Sequence, residues 1–243
     1  MMKSIIIGSF LFFLSFLALA GQFLETFEDT NLKEWREIIL QDGAPGSWEI
    51  VDGKLQGISH GGNTRLLSVG DKTWRDYEIA VEVKPKKKHG PGNIAIAARI
   101  RGTSAIVCVI GDMPVLEPKS RAICFGGNLH NDKTLSLGAK LSPFLRLNKW
   151  STLKLQVQGN TLIFWINGKQ ILGPLEIPEL QVVQRIDPEF PSLLIGGAGI
   201  GLTNYTADFD NIIITGKSIP NKGGLSVSPE GQLATMWASL KWF

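Results

Sequence analysis

The sequence predicts an all-β protein built as a two-sheet antiparallel sandwich or jelly roll. Two turn dipeptides, Gly159-Asn160 and Asn167-Gly168, separate three apolar runs between residues 150 and 172. Such dipeptides supply the positive φ angles of tight hairpin turns, so this stretch predicts an antiparallel meander. Its first run, residues 153–158, alternates apolar and polar side chains, which is typical of a strand with one buried face.

The N-terminus predicts a secretory signal peptide spanning residues 1–20. Met1-Met2-Lys3 is a short basic start, residues 5–19 are apolar, and Ala18-Leu19-Ala20 fits a small-residue cleavage site. We therefore expect a mature chain that begins at Gly21, has no membrane span and is secreted or periplasmic. An uncleaved anchor remains the alternative.

Strand-like runs recur along residues 21–216, which we predict to be a single sandwich domain. Asp52-Gly53 joins two of them as a hairpin. So many short strands favour stacked sheets, because stacking removes most exposed sheet edges. Besides the meander, the predicted strands are residues 23–27, 48–51, 54–59, 77–84, 94–100, 105–109, 122–125, 193–195, 199–202 and 207–215.

Composition argues against a nucleic-acid partner and leaves the state of the cysteines open. The formal net charge is only +3, and the basic run at residues 84–88 is short, so we read it as a solvated hairpin loop. Cys108 and Cys124 lie in separate strand-like runs. In an exported protein they are able to form a disulfide across neighbouring strands, and the alternative is two buried free thiols.

Residues 217–243 predict a linker followed by an amphipathic tail. The stretch up to residue 227 is rich in glycine and polar residues. Ser228 and Pro229 suit the start of a short C-terminal helix. Its apolar side chains share one face, which either docks on the sandwich or meets a protein partner; they are Leu233, Met236, Trp237 and Leu240.

Several motifs together resemble the concanavalin A-like lectin/glucanase superfamily in its laminin-G-like branch, including the 3-keto-disaccharide hydrolase type. The resemblance covers about residues 23–216 and is specific for fold. Its motifs are Phe27-Glu28-Asp29-Thr30-Asn31-Leu32-Lys33-Glu34-Trp35, Trp48-Glu49-Ile50-Val51-Asp52-Gly53, Trp74-Arg75-Asp76-Tyr77, Ile166-Asn167-Gly168-Lys169 and Asp208-Phe209-Asp210-Asn211-Ile212. One such fold hosts lectins, hydrolases and adhesive modules, so it does not by itself fix an activity.

The resemblance implies a curved sandwich whose first and last strands lie side by side and whose concave face often holds carbohydrate. It also implies a calcium ion where those strands meet. Asp210 matches the position of the expected aspartate ligand, and Glu28 near the first strand is a second candidate. Hard oxygen ligands of this kind suit calcium.

The sequence lacks the Glu-x-Asp-x-Glu signature of the laminarinase branch. Glu78 and Glu82 are the nearest approach, but four residues along a strand span roughly 13 Å. Retaining glycosidases need carboxylates about 5–5.5 Å apart and inverting ones about 6.5–9.5 Å. Ordinary laminarinase chemistry is therefore not predicted.

The candidate binding residues come from the resemblance and from residue chemistry. Residues 92–99 are similar to a Gly-Asn-Ser-Gly-Ile run that leads to an arginine in the 3-keto-disaccharide hydrolase group, although Ile94 and Ala95 replace its Ser-Gly. We predict that Asn93 and Arg99 hydrogen-bond a sugar and that Trp74 and Trp165 stack against its ring. His130, in a polar loop, is a further candidate contact or acid/base.

These observations predict an exported carbohydrate-binding, lectin-like domain for an extracellular or cell-wall glycan. One alternative is a glycoside hydrolase of the 3-keto-disaccharide hydrolase type, which a cluster of His, Asp and Arg at one end of the groove would favour. The other is an adhesive or structural module that acts through its C-terminal tail.

Overall fold

The computed structural model describes residues 20–29, 31–39, 45–62, 64–112, 120–130 and 133–222. Residues 1–19 of the predicted signal and residues 223–243 of the predicted tail, with its helix, lie outside this part. The described elements are β1 (Gly21–Glu25), β2 (Arg36–Ile39), β3 (Gly46–Val51), β4 (Lys54–Ser59), β5 (Arg65–Val69), β6 (Tyr77–Arg101), β7 (Ser104–Gly111), β8 (Arg121–Asn128), β9 (Lys133–Leu141), β10 (Ser151–Gln158), β11 (Thr161–Ile166), β12 (Lys169–Glu176), α1 (Leu180–Val183) and β13 (Gly197–Gly216).

Two long strands, β6 with 25 residues and β13 with 20, pair with each other and run through both layers of the fold. In the first layer, the N-terminal half of β6 and the C-terminal half of β13 join β1, β3, β4, β10, β11 and β12. In the second layer, their other halves join β2, β5, β7, β8 and β9. All pairings between these strands are antiparallel, and the prediction of an all-β jelly-roll sandwich is confirmed.

The main core lies between the two layers, as strand alternation requires. On β6, Ile94 and Ile96 point into this core, whereas Ala95 and Ala97 belong to a second, smaller apolar cluster on the outer face of the second layer. The first layer contributes core side chains such as Leu155 from its own inner face. Among the described residues, no helix is long and apolar enough to cross a membrane.

The predicted turns and the predicted pairing of the chain ends are both confirmed. Asp52-Gly53 and Asn167-Gly168 adopt positive φ at both positions, with Asn167 at 50° and Gly168 at 73°. Antiparallel pairing of β1 with β13 places the first and last strands side by side. Cys108 and Cys124 lie directly opposite each other on β7 and β8 and form a disulfide, which decides between the two readings of the cysteines.

The strand predictions were wrong in three respects: a predicted loop within β6, a predicted strand that is absent, and three strands that were missed. Residues 77–84 and 94–100 belong to one strand, β6, although the polar segment between them contains two prolines and reads as a loop. The basic run at residues 84–88 is therefore part of a strand. Residues 193–195 do not form a strand, and β2, β5 and β9 were not predicted. The first two are too short to show alternation, whereas β9 does alternate apolar and polar side chains from Leu135 to Leu141.

Candidate functional site

The outer face of the second layer has a closed, apolar centre. Small residues occupy its middle strands, where Gly201 lies between Leu66 and Ala95 in the strand pairing. A Cβ atom at Gly201 would lie 2.3 Å from Leu66 Cδ2, so the leucine side chain leans over the glycine. Val107 and Ala95 are also almost fully buried here, and the remaining cavity, bordered by Asn93, measures only about 40 Å³. A sugar ring does not fit in this centre.

Open space lies at one end of this face, where a pocket of about 670 Å³ is formed by β2, the end of β5 and the turn between β6 and β7. Its apolar lining includes Ile38 and Ile100, and Ser68 contributes a polar side chain. Four basic side chains, each able to donate hydrogen bonds, also line it, and they are Arg36, Lys72, Arg101 and His130. A pocket of this size accommodates a small sugar.

The carboxylates that border this end pocket are already engaged by protein groups. Glu37 accepts a 2.7 Å hydrogen bond from the Nε of Arg65, and Glu34 forms an ion pair with Lys222. Asp71 accepts hydrogen bonds from the hydroxyl and backbone N–H of Thr73, which lower the pKa of its carboxyl group. Asp71 is therefore ionised at neutral pH and does not serve as a proton donor.

The donors of the end pocket, by contrast, are free within the described part of the chain. The side chains of Arg36, Lys72, Arg101 and His130 make no ion pair or hydrogen bond there, and all four residues are exposed. Arginine and lysine donate but do not accept hydrogen bonds. The pocket therefore matches a ligand rich in acceptor oxygens, such as a sugar that carries a carbonyl or carboxylate.

Arg99 does not face this pocket or the outer face, contrary to its predicted exposure toward a sugar. A positive φ of 54° within a β-bulge region turns its side chain to one end of the core, where only 1% of the residue is exposed. Its guanidinium donates to the carbonyls of Leu193 (3.0 Å) and Gly159 (2.8 Å) and lies 3.4 Å from a carboxylate oxygen of Asp76. Burial lowers the pKa of Arg99, and the nearby Tyr77 and Asp76 oppose that shift. Protein acceptors therefore engage the Nη1 and Nη2 groups that were predicted to bind a sugar, whereas the buried Nε of Arg99 has no hydrogen-bond partner among the described residues.

Neither of the two predicted stacking tryptophans lines the end pocket. Trp74 is 3% exposed and packs against Phe23 and Tyr77, at ring-centroid distances of 6.3 and 6.1 Å, so its faces are covered by the core. Trp165 lies on the outer face of the first layer, opposite Lys154 on β10. The Nζ of Lys154 lies 4.3 Å from the centre of its ring.

The structure thus brings only one of the five predicted substrate-binding residues, His130, into the end pocket. Asn93 borders the small central cavity on the same face. Arg36, Lys72 and Arg101 were not predicted, because they come from three separate segments and nothing in their spacing signals a shared site. The structure also brings together two histidines that sequence left apart, since the rings of His60 and His89 lie 4.1 Å apart.

The predicted calcium ligands lie near the end of β1, where the first and last strands meet. Burial raises the pKa of Asp210, and the charges of Glu82 and Glu28 raise it further, so these carboxylates lie within electrostatic reach of one another. A cation would relieve that repulsion. However, the described residues contain no group of three or more His, Cys, Asp or Glu side chains placed to hold a metal. Calcium binding by Asp210 and Glu28 therefore stays a prediction.

A family model for the 3-keto-alpha-glucoside-1,2-lyase-like domain matches residues 22–214, which is most of the chain. The protein belongs to this family. The match covers the strands of both layers and ends within β13. A search of curated proteins gave no match.

Solved structures with the same architecture come from carbohydrate-binding modules and from glucanases. The carbohydrate-binding module CBM66 from Bacillus subtilis aligns with a TM-score of 0.54 and 15% identity, over 75% of this chain and 95% of the module. The β-glucanase of Bacillus licheniformis aligns with a TM-score of 0.52 and 14% identity, over 81% of this chain and 98% of the enzyme. At such low identities these similarities establish the fold.

Proposed function

We propose that this protein is an exported carbohydrate-binding domain whose end pocket takes a sugar bearing a carbonyl or carboxylate group. The observation that carries the proposal is that the pocket has more free hydrogen-bond donors than free acceptors. Its carboxylates are engaged by Arg65, Thr73 and Lys222, whereas four donor side chains point to no protein acceptor in the described part of the chain. The family name supports a 3-keto-glucoside as the sugar, because a keto group adds an acceptor oxygen that the donors are able to hold.

Export is part of this proposal. The basic start and apolar run of residues 1–19 support it, as does the disulfide between Cys108 and Cys124, because disulfides persist in oxidising compartments. Mass spectrometry of the released protein would test the predicted cleavage after Ala20.

A second candidate is catalysis of 1,2-elimination on the same sugar, which His130 favours because it stands among cationic side chains in the pocket. A ketone at C3 acidifies the proton on C2. An imidazole base takes that proton, the C2–H electrons form a C1=C2 double bond, and the C1–O bond breaks. The imidazolium that results gives its proton to the departing alkoxide, which leaves as an alcohol, and a nearby cation stabilises the enolate oxygen.

Binding and product formation with a methyl 3-keto-α-glucoside test both candidates together. We expect Arg36→Ala to weaken binding at least about tenfold, because a charge-assisted hydrogen bond contributes about 1.5–3 kcal/mol. Calorimetry measures the affinity, and ultraviolet absorbance follows the unsaturated ketone produced by elimination. Arg185→Ala, at an exposed arginine that does not line the pocket, is the matched control.

Three outcomes separate the candidates. Binding without product supports a binding domain, and turnover that His130→Ala abolishes while binding persists supports the lyase. No binding of the keto sugar, or equal affinities for wild type and Arg36→Ala, contradicts the proposed pocket. Unmodified methyl α-glucoside should bind more weakly because it lacks the carbonyl acceptor.

Calcium binding at Asp210 and Glu28 stays a prediction and is tested separately. We expect added calcium to raise the melting temperature of the wild type, because the cation would relieve the repulsion between Asp210, Glu82 and Glu28. Asp210→Asn should lose this response while it keeps the fold. Melting curves with calcium and with chelator provide the measurement, and equal calcium responses in both proteins would exclude Asp210 as a ligand.

A further inference from the structure

Exposed apolar side chains are concentrated at the end of β9 and in the segment that joins β9 to β10. Leu141, Phe144, Leu147 and Trp150 are 65%, 41%, 49% and 39% exposed, and they recur at every third residue. The rest of the described chain contributes five further exposed large apolar residues, spread over Val51, Val182, Ile186, Leu194 and Ile213. A concentration of this kind on a surface marks an interaction site.

Cationic side chains surround these apolar groups. Residues 84–88 of β6 contain four lysines, and residues 140–150 contain Lys140, Arg146 and Lys149. Neither segment contains an aspartate or a glutamate. We call residues 84–88 and 140–150 together the basic–apolar patch.

Direct contacts hold the two segments of the basic–apolar patch together. The backbone N–H of Asn148 donates a 2.7 Å hydrogen bond to the carbonyl of Pro85. The Nζ of Lys84 lies 5.0 Å from the ring centre of Trp150, and that of Lys88 lies 4.3 Å from the ring centre of Phe144. Lys84 and Lys88 of the first segment therefore lie directly over aromatic side chains of the second.

Part of the positive charge is neutralised and part is not. Lys84 and Lys86 lie 3.8 and 3.4 Å from a carboxylate oxygen of Asp208, and Lys88 lies 2.9 Å from one of Asp112. The other cations of the basic–apolar patch make no ion pair within the described residues, and they are Lys87, Lys140, Arg146 and Lys149. A net positive, partly apolar surface remains.

We propose that the basic–apolar patch docks this protein on an anionic lipid surface. Cations attract the negative headgroups, and exposed apolar side chains enter the boundary between headgroups and acyl chains. An anionic polysaccharide would pair with the cations equally well, but it offers no apolar phase in which aliphatic side chains such as Leu141 and Leu147 become buried. Lysines also lie over the rings of Phe144 and Trp150, which limits those rings as platforms for a sugar. The apolar side chains thus favour a lipid.

Sedimentation with phosphatidylcholine vesicles, with and without phosphatidylglycerol, tests the proposal. The protein is used in the form in which the producing cells release it, without further truncation. We expect binding only to vesicles with phosphatidylglycerol, and loss of binding as salt screens the charges. The double change Phe144→Ser with Leu147→Ser, and the triple change Lys87→Glu, Arg146→Glu and Lys149→Glu, should each weaken binding at least about tenfold. All of these side chains are exposed, so the variants should fold.

The matched control changes Arg185→Glu with Ile186→Ser, a cation and an apolar residue that is 88% exposed on another surface. This variant should bind like the wild type. Hydrogen exchange gives a localised readout, in which vesicles should slow exchange in residues 141–150 and leave residues 180–186 unchanged. That readout separates the patch from any contribution of the apolar residues 5–19.

Unchanged binding of both patch variants, or equal binding to neutral vesicles, would overturn the proposal. Unchanged exchange in residues 141–150 would do the same. Soluble polygalacturonate serves as the polysaccharide probe. If the protein binds polygalacturonate but neither kind of vesicle, a lipid partner is also refuted.

Discussion

Replacing Arg99 by alanine should lower the free energy of unfolding by about 3–5 kcal/mol, as expected when one partner of a buried charged network is removed. The change removes the Nη1 donor of the Leu193 carbonyl and the Nη2 donor of the Gly159 carbonyl. It also leaves a cavity where a buried side chain stood. Urea denaturation of wild type and variant provides the measurement.

Arg75→Ala is the matched control for this experiment. Arg75 also lies near Asp76, at 3.5 Å, but its side chain is 68% exposed, so its loss should cost less than about 1 kcal/mol. Arg99→Lys should fall between the two, because an ammonium group does not reproduce the planar fork that reaches two carbonyls. A loss for Arg99→Ala as small as for Arg75→Ala would refute a structural role for the guanidinium.

Removing both cysteines, as Cys108→Ala with Cys124→Ala, should lower the free energy of unfolding by about 3 kcal/mol. The two residues are 16 positions apart, and closing a loop of that length restricts the unfolded chain by about this amount in the chain-entropy model. Denaturation midpoints with and without reductant measure the effect. Reductant should lower the midpoint of the wild type but not that of the double variant, and a shift in both would point to another cause.

The sequence predicted the fold well because regular strands leave local signals. Alternation in residues 153–158 and the turn at Asn167-Gly168 both depend on neighbours in the chain. The prediction failed at residues 84–93, where β6 bends between layers, because proline, glycine and lysine there resemble a loop. Nothing local shows that a partner strand more than a hundred residues away keeps this segment extended.

The binding residues were harder to predict because a side chain's direction depends on tertiary geometry. The direction of Arg99 depends on its positive φ in a bulge, which reverses the inference from simple alternation. Trp74 matches a family motif, yet it completes an aromatic cluster in the core. Arg36 and Arg101 meet His130 only after β2, β6 and the loop after β8 are assembled.

The pairing of β6 with β13 also has a consequence for biosynthesis. These two strands are the central pair of both layers. Residues Gly197–Gly216 leave the ribosome after all the other described strands. Neither layer is complete until then, so a nascent chain remains without its central ladder for most of translation. A polypeptide that stays open so late is well suited to threading through a narrow translocation channel before it closes.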